Sequence, residues 1–284
     1  MLVAGVLIFS VQFVSAQSLE EARELYNSGG QATTDGDLET AIQNFEDCIS
    51  ICETLVEEEE DMDAEDLLLT VQQNMPKLYW QLCQTKVKDK DYAAGLKYAK
   101  KAKSAAGEMN DEDIVSKASQ LASKLYYSFS LSKYKSKNYD EALTQLDNSV
   151  NEYPENFKAH LLKVVILKET GNEDALIAAT KEIMAIQKED NNKDKAVSIT
   201  ANYFYNEGVK AKQASDYDKA LNNIDTSLEF NGENADAYYL KAAIYNAKQD
   251  WDNAVASVNT GLQYEEASAD AKARFYYELG NAYA

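Results

Sequence analysis

Three stretches, KNYDEAL (137–143), SDYDKAL (215–221) and QDWDNAV (249–255), carry one phrase. It runs polar residue, Asn or Asp, aromatic, acid, variable residue, Ala, aliphatic. Tyr217 and Trp251 lie 34 residues apart. A period of that size marks stacked helical repeats. Looser copies stand at GDLETAI (36–42), KDYAAGL (90–96) and GNEDAL (171–176), the last fitting with a turn one residue short.

Aligned on the Ala, the chain divides into repeats near 22–55, 76–109, 123–156, 157–189, 201–234 and 235–268, with a half repeat at 273–284. Each reads as two helices joined by a tight polar turn. The fourth position is large: Leu25, Tyr79, Tyr126, His160, Phe204, Tyr238, Tyr276. The eighth is mostly small: Gly29, Cys83, Ser130, Val164, Gly208, Ala242, Gly280. The twentieth is small throughout: Ala41, Gly95, Ala142, Ala175, Ala220, Ala254. Small residues let helices approach closely, and a large neighbour fills the remaining gap. Gly208 and Gly280, each costing a helix roughly 1 kcal/mol against Ala, are therefore expected at close helix contacts.

Extra residues fall at 56–75, 110–122, 190–200 and 269–272. Leu67, Leu68, Val71 and Met75 continue one apolar face, as do Ile114, Ala118, Leu121 and Leu125 behind a candidate N-cap at Asn110. Several first helices are thus expected to be long.

Composition agrees. Two prolines and eleven glycines in 284 residues favour helix, and no β-branched alternating runs suggest strands. A hydrophobic fraction of 45% implies a packed core despite a net charge of −20. That charge argues against nucleic acid or an anionic membrane as the main partner, since both need clustered Lys and Arg.

The large-x-x-x-small pattern, YYELGNAY (276–283) and the aromatic-acid-x-x-Ala phrase resemble the tetratricopeptide repeat (TPR). The best match is the third repeat, SKLYYSFSLSKYKSKNYDEALTQLDNSVNEYPEN (123–156); the fourth departs most, with His160 and Val164 in its slots. The resemblance implies an all-α fold, a right-handed superhelical α-solenoid of antiparallel helix pairs. One pair cannot bury both its faces, whereas stacked pairs share a continuous core.

Catalytic chemistry is not legible. The one histidine, His160, falls in a large-residue slot with no Cys in its repeat, and reads as a core residue. No phosphate loop, Gly-x-Ser-x-Gly elbow or His-Glu-x-x-His occurs. Neither a metal nor a cofactor is expected. Cys83, in the eighth slot, and Cys48, at a twenty-seventh position that is also small in Ala102, Ser149, Ser227 and Gly261, read as buried packing residues; the alternative is a disulfide from Cys83 to Cys48 or Cys52. The acidic run EEEEDMDAED (57–66) lacks calcium-loop spacing and reads as a solvated helix end or turn.

MLVAGVLIFSVQFVSA (1–16) has no charge, an apolar run too short to span a bilayer and small residues before Gln17. It reads as a signal peptide, though without the usual basic residue. The mature chain, 17–284, is expected to be exported, periplasmic or cell-envelope associated, with no integral membrane span. ARFYYELGNAYA (273–284) reads as a first helix without its second, which leads one to expect further repeats or another chain against it.

In the family, first helices line a concave groove through positions two, five, nine, twelve and thirteen. Carried over, the fifth positions form a stripe of Tyr26, Trp80, Tyr127, Leu161, Tyr205, Tyr239 and Tyr277. Nine of these groove positions are basic (Arg23, Lys77, Lys88, Lys124, Lys135, Lys158, Lys168, Lys212, Arg274) and two acidic (Glu169, Asp236), the reverse of the overall composition. The Lys and Asn that the family's carboxylate-clamp subtype needs at positions five and nine are not matched. The expectation is a non-catalytic protein–protein interaction scaffold gripping an extended, acidic segment. Its contacts would be Arg23, Tyr26, Lys77, Trp80, Lys124, Tyr127, Lys158, Tyr205, Lys212, Tyr239, Arg274 and Tyr277. The alternative is a glycan-binding protein that stacks sugars on the aromatic stripe.

Overall fold

The computed structural model describes residues 6–264 and 269–283, with side chains from Ser18 onward except at 59 and 269–271. Residues 1–5 of the expected leader, 265–268 and 284 lie outside them. The described residues form thirteen α-helices and no strand. Six consecutive pairs are α1 (Val6–Asp35) with α2 (Leu38–Glu59), α3 (Met62–Lys88) with α4 (Tyr92–Glu108), α5 (Glu112–Lys135) with α6 (Tyr139–Glu152), α7 (Phe157–Thr170) with α8 (Glu173–Ala185), α9 (Asn191–Gln213) with α10 (Tyr217–Phe230), and α11 (Ala235–Ala247) with α12 (Trp251–Tyr264). A single helix, α13 (Ala269–Tyr283), follows. The expected insertions are helical: α3, α5 and α9 reach 27, 24 and 23 residues.

The repeated phrase is a turn device. Its first residue is left-handed: Lys137, Ser215 and Gln249 have φ near 60°, and Lys90, Gly171 and Gly36 in the looser copies have φ 66°, 69° and 80°. The next residue closes the helix behind it and opens the one ahead. Asp216 N–H donates to Ala211 C=O at 2.9 Å, while Asp216 C=O accepts from Ala220 N–H at 2.9 Å. Asp250 does the same with Tyr245 (2.9 Å) and Ala254 (3.0 Å). The Asp216 carboxylate also accepts from Lys219 N–H, capping α10. One left-handed residue and one Asx cap thus satisfy orphan groups at two helix ends within two residues.

Two expectations need correction. In the fourth repeat Ala175 is not in the small slot and the turn is not short. Gly171 is the left-handed residue, and Asn172 C=O accepts from Leu176 N–H at 2.9 Å. Leu176 takes the place of Ala220 and is fully buried. And α5 is capped by Asp111, whose carboxylate accepts from Ile114 N–H at 3.0 Å, not by Asn110. Asn110 is itself left-handed, with φ 56°. The acidic run is an inter-helix turn: Glu60 is left-handed, and Asp61 caps α3 by accepting from Asp63 and Ala64 N–H.

The chain divides into two compact parts, Met1–Ser128 with Asn151–Tyr153, and Phe129–Val150 with Pro154–Ala284. In the first, Leu19 and Ala22 of α1, Phe45, Cys48 and Cys52 of α2, Val71, Met75 and Leu82 of α3, and Ala118 of α5 share one core. At its edge Tyr79 O–H and Lys101 Nζ–H both donate to Glu46 Oε1 at 2.6 Å, with Lys101 over the Tyr79 ring. Burial pushes the Glu46 carboxyl up, but these two bonds together with the charges of Lys101 and Lys97 outweigh it and hold the carboxyl below its usual range. In the second part, cores form around Val164, Leu176 and Phe204, around Ala220, Ile224 and Ile244, and around Ala242, Val258 and Phe275.

Candidate functional site

In the first part, α3 and α5 face each other across a groove of about 440 Å³. One wall is Trp80, Gln84, Val87 and Lys88; the other is Lys117, Gln120, Leu121 and Lys124. The spacing on each wall follows one helical face, because residues three and four apart are neighbours on a helix. The apolar floor is continuous with the core: Trp80, Val87 and Leu121 pack on Cys83, Ala99 and Ala122. Trp80 is half-buried, while Lys88, Lys117 and Lys124 are exposed. Lys117 lies 2.5 Å from Asp113, one turn earlier on α5. The eight lining residues include three lysines and no carboxylate. Each lysine carries a charge on a flexible apolar stem, suited to a ligand carboxylate above an aromatic floor.

Of the sequence-predicted contacts, the structure brings Trp80 and Lys124 together, beside Lys88, a basic groove position outside that set. Gln84 and Val87, the ninth and twelfth positions of that repeat, complete their wall. Sequence reasoning missed Lys117, Gln120 and Leu121, since they lie in the extension before the counted repeat. The spacing 117, 121, 124 in the run from Ile114 was the available signal.

The other predicted contacts are placed differently. Lys77 is exposed on α3, one turn before Trp80, and does not line the groove. Arg23 pairs with Asp63 at 3.3 Å. Tyr26 is partly buried, its ring 5.9 Å from that of Phe45. Tyr127 is half-buried, and burial raises its hydroxyl pKa. In the second part, Lys158 is exposed on α7 and Lys212 half-buried near the end of α9. Tyr205 packs on the Ala220–Ile224 core. Arg274 pairs with Asp236 and lies over the Tyr239 ring, 5.3 Å from its centroid. Tyr239 in turn meets Phe275 edge-on. Glu169, a groove-position acid, accepts from the Tyr134 and Tyr139 hydroxyls. Most of the stripe is therefore half packing, and the exposed aromatic is Tyr277.

His160 is a core residue. Its Nε2 lies 2.9 Å from Pro154 O, so the proton sits on Nε2, since a carbonyl can only accept. Burial lowers its pKa, and the neutral ring is favoured. The three cysteines are buried and unbridged. Cys83 Sγ donates to Gly95 C=O at 3.2 Å. Burial pushes the Cys48 thiol up to about 12 and that of Cys83 to about 11, far from a reactive thiolate. Among the described residues no cluster of His, Cys, Asp and Glu could hold a metal ion, and no helix is long and apolar enough to cross a membrane.

No family model and no curated protein matches the chain. Among solved structures, a TPR repeats protein from Bacteroides fragilis is 15% identical, covers 72% of this chain and 98% of its own, and has a TM-score of 0.47. YrrB, a TPR protein with an unusual peptide-binding site, is 14% identical over 77% of this chain and 94% of its own, with a TM-score of 0.28. The TPR2AB domain of yeast Sti1, solved with pHSP90, is 10% identical over 93% and 98%, also at 0.28. At such scores the chain's own packing has to define its fold. A left-handed residue, an Asx cap and a close helix contact recur in pair after pair, and by that packing the chain is an all-α helical repeat.

Proposed function

We propose that this chain is a non-catalytic protein–protein interaction scaffold whose α3/α5 groove grips an extended, acidic partner segment. The observation that carries this is a groove of three lysines around Trp80, with no carboxylate lining it, in a chain of net charge −20. Trp80 supplies contact area of the kind found at interaction hot spots, and Gln84 and Gln120 offer hydrogen bonds to an extended backbone. The lysines act mainly on encounter rate and selectivity, so binding weakens with salt. The neutral leader-like segment at the start supports a setting in the cell envelope; mass spectrometry of the exported form would then find a chain beginning at Gln17.

The test is an array of extended peptides, Asp/Glu-rich with one apolar residue, and neutral oligosaccharides. Acidic peptides should bind, and the Lys88→Glu/Lys117→Glu/Lys124→Glu variant should lose them with helicity unchanged. A Lys181→Glu/Lys219→Glu variant, altered on second helices, should keep them. Equal loss in both variants would overturn the reading. Neutral sugars bound by wild type and triple variant alike would make the chain a glycan-binding protein.

A further inference from the structure

A second cavity, of about 250 Å³, opens between α2, α3 and α4, and every residue lining it lies between positions 49 and 109 of the first part. A water's share of the liquid is about 30 Å³, so the space takes a side chain or a small molecule and nothing larger. Ile49 of α2, Met75 and Tyr79 of α3 and Met109 of α4 give it an apolar floor. Met75 and Tyr79 are buried, Ile49 and Met109 half-buried. Two of these four are methionines, whose unbranched side chains adapt to ligands of different outline. Tyr79 and Trp80 are neighbours in sequence, and α3 sends the first to this cavity and the second to the α5 groove.

Three charged side chains line the cavity, Glu53, Lys101 and Glu108. Lys101 is already matched. Its ammonium lies 2.6 Å from Glu46 Oε1 and over the Tyr79 ring, and the Tyr79 hydroxyl donates to the same oxygen. Glu53 and Glu108 are not matched. Both are exposed, and among the described residues neither carboxylate has an ion-pair or hydrogen-bond partner. An ionised carboxylate can only accept hydrogen bonds. The remaining polar lining, Gln72 and Ser104, is uncharged. The cavity therefore joins an apolar floor to two unspent negative charges. The α3/α5 groove has the reverse balance, three lysines and no carboxylate.

We propose that this cavity binds an organic cation, an ammonium or guanidinium group carried on a short apolar stem. The stem lies on Ile49, Met75, the edge of Tyr79 and Met109, and the cation meets Glu53 and Glu108. Small-molecule sites are built in this way, from a largely apolar wall and a few placed polar groups that fix orientation. An anion of the same shape is repelled by both carboxylates, and a neutral analogue gains the floor without the charge. The cation can be a free amine or the Lys or Arg side chain of a polypeptide, which present the same chemistry. The site is separate from the α3/α5 groove and does not depend on it.

Methionine methyl groups report on it directly. Of the five methionines, Met75 and Met109 line the cavity, whereas Met62 and Met184 do not and are 77% and 41% exposed. The test labels the methyl groups of the full chain with carbon-13 and titrates 2-phenylethylammonium chloride, with uncharged 2-phenylethanol as its counterpart. The Met75 and Met109 signals should move with the ammonium, and those of Met62 and Met184 should stay. Glu53→Gln/Glu108→Gln, which alters two exposed and unpaired side chains, should weaken binding about tenfold, and Lys88→Glu/Lys117→Glu/Lys124→Glu should not weaken it. Acetyl-Ala-Lys-Ala-amide and acetyl-Ala-Arg-Ala-amide separate the two sources. Tighter binding of either tripeptide at the same methyl groups supports the proposal with a polypeptide as the source, and entry of the free amine alone supports it with a small molecule. No movement at about 10 mM amine, equal movement with 2-phenylethanol, or equal binding by wild type and Glu53→Gln/Glu108→Gln would overturn it. So would Met62 and Met184 moving together with Met75 and Met109, by showing adventitious contact only.

Discussion

Gly208 on α9 and Gly280 on α13 hold the same place in the repeat and live in opposite surroundings. Around Gly208 the second helix is so near that the missing Cβ is part of the fit, with Ile224 filling its space. Around Gly280 there is open space. A glycine in a repeat is thus read through the helix that packs on it, as α10 does on Gly208. The fourth repeat shows the same contact solved otherwise. Val164 and Leu176 replace Gly and Ala, and both are fully buried. What is repeated is the summed volume between two helices, not the residue, as expected for interiors packed to crystal density.

The largest effect that would break this comparison is Gly208→Leu. Overpacking against Ile224 and the Ala220 carbonyl should cost about 1–3 kcal/mol in urea unfolding. Gly280→Ala should cost nothing and gain up to about 1 kcal/mol of helix propensity. Equal losses in the two would mean that α13 is covered in solution.

A smaller effect sharpens the account of the turns. Gly36 and Gly171 take the left-handed position without strain, whereas Ser215 takes it at φ 60° with a Cβ. Ser215→Gly should therefore raise stability by up to about 1 kcal/mol, read as a shift in urea midpoint. A loss would mean that the Ser215 side chain supports the turn.

The smallest effect concerns pH and the fourth repeat. An unfolded imidazole protonates near 6.5, but burial holds the pKa of folded His160 lower. Between the two values the unfolded state binds the extra proton, so this part of the stability is complete above 6.5 and is lost as pH falls through the folded value. His160→Phe, which restores the aromatic of Tyr79 and Phe204 to the slot, should flatten the fall in stability just below pH 6.5. An unchanged slope would assign that fall to the carboxylates.

Much of this was legible in the sequence because helix pairing is local. The Asx cap, the aromatic after it and the Ala four residues after the cap are all set by one turn of chain. They mark the turn within each pair, while helices such as α3 and α5 begin well ahead of the counted repeats. Reading failed where the same local pattern fits two registers. GNEDAL offers Ala175 or Leu176 to the slot, and only the cap carbonyl, bonded to Leu176 N–H, chooses between them. Asn110 and Asp111 posed the same question, answered by which residue is left-handed.

The candidate groove was half legible for a related reason. Trp80 and Lys88 follow from the repeat register, but Lys117 and Gln120 belong to an extension that the register does not count. So the sequence by itself determined an acidic all-helical repeat, its turns and the helix faces that meet, since these depend on residues a few positions apart. Only the tertiary structure decided which lysines surround Trp80, which arginines are consumed by Asp63 and Asp236, and which glycine faces open space. Those depend on side chains from different helices arriving at one point, and no spacing along the chain encodes that distance.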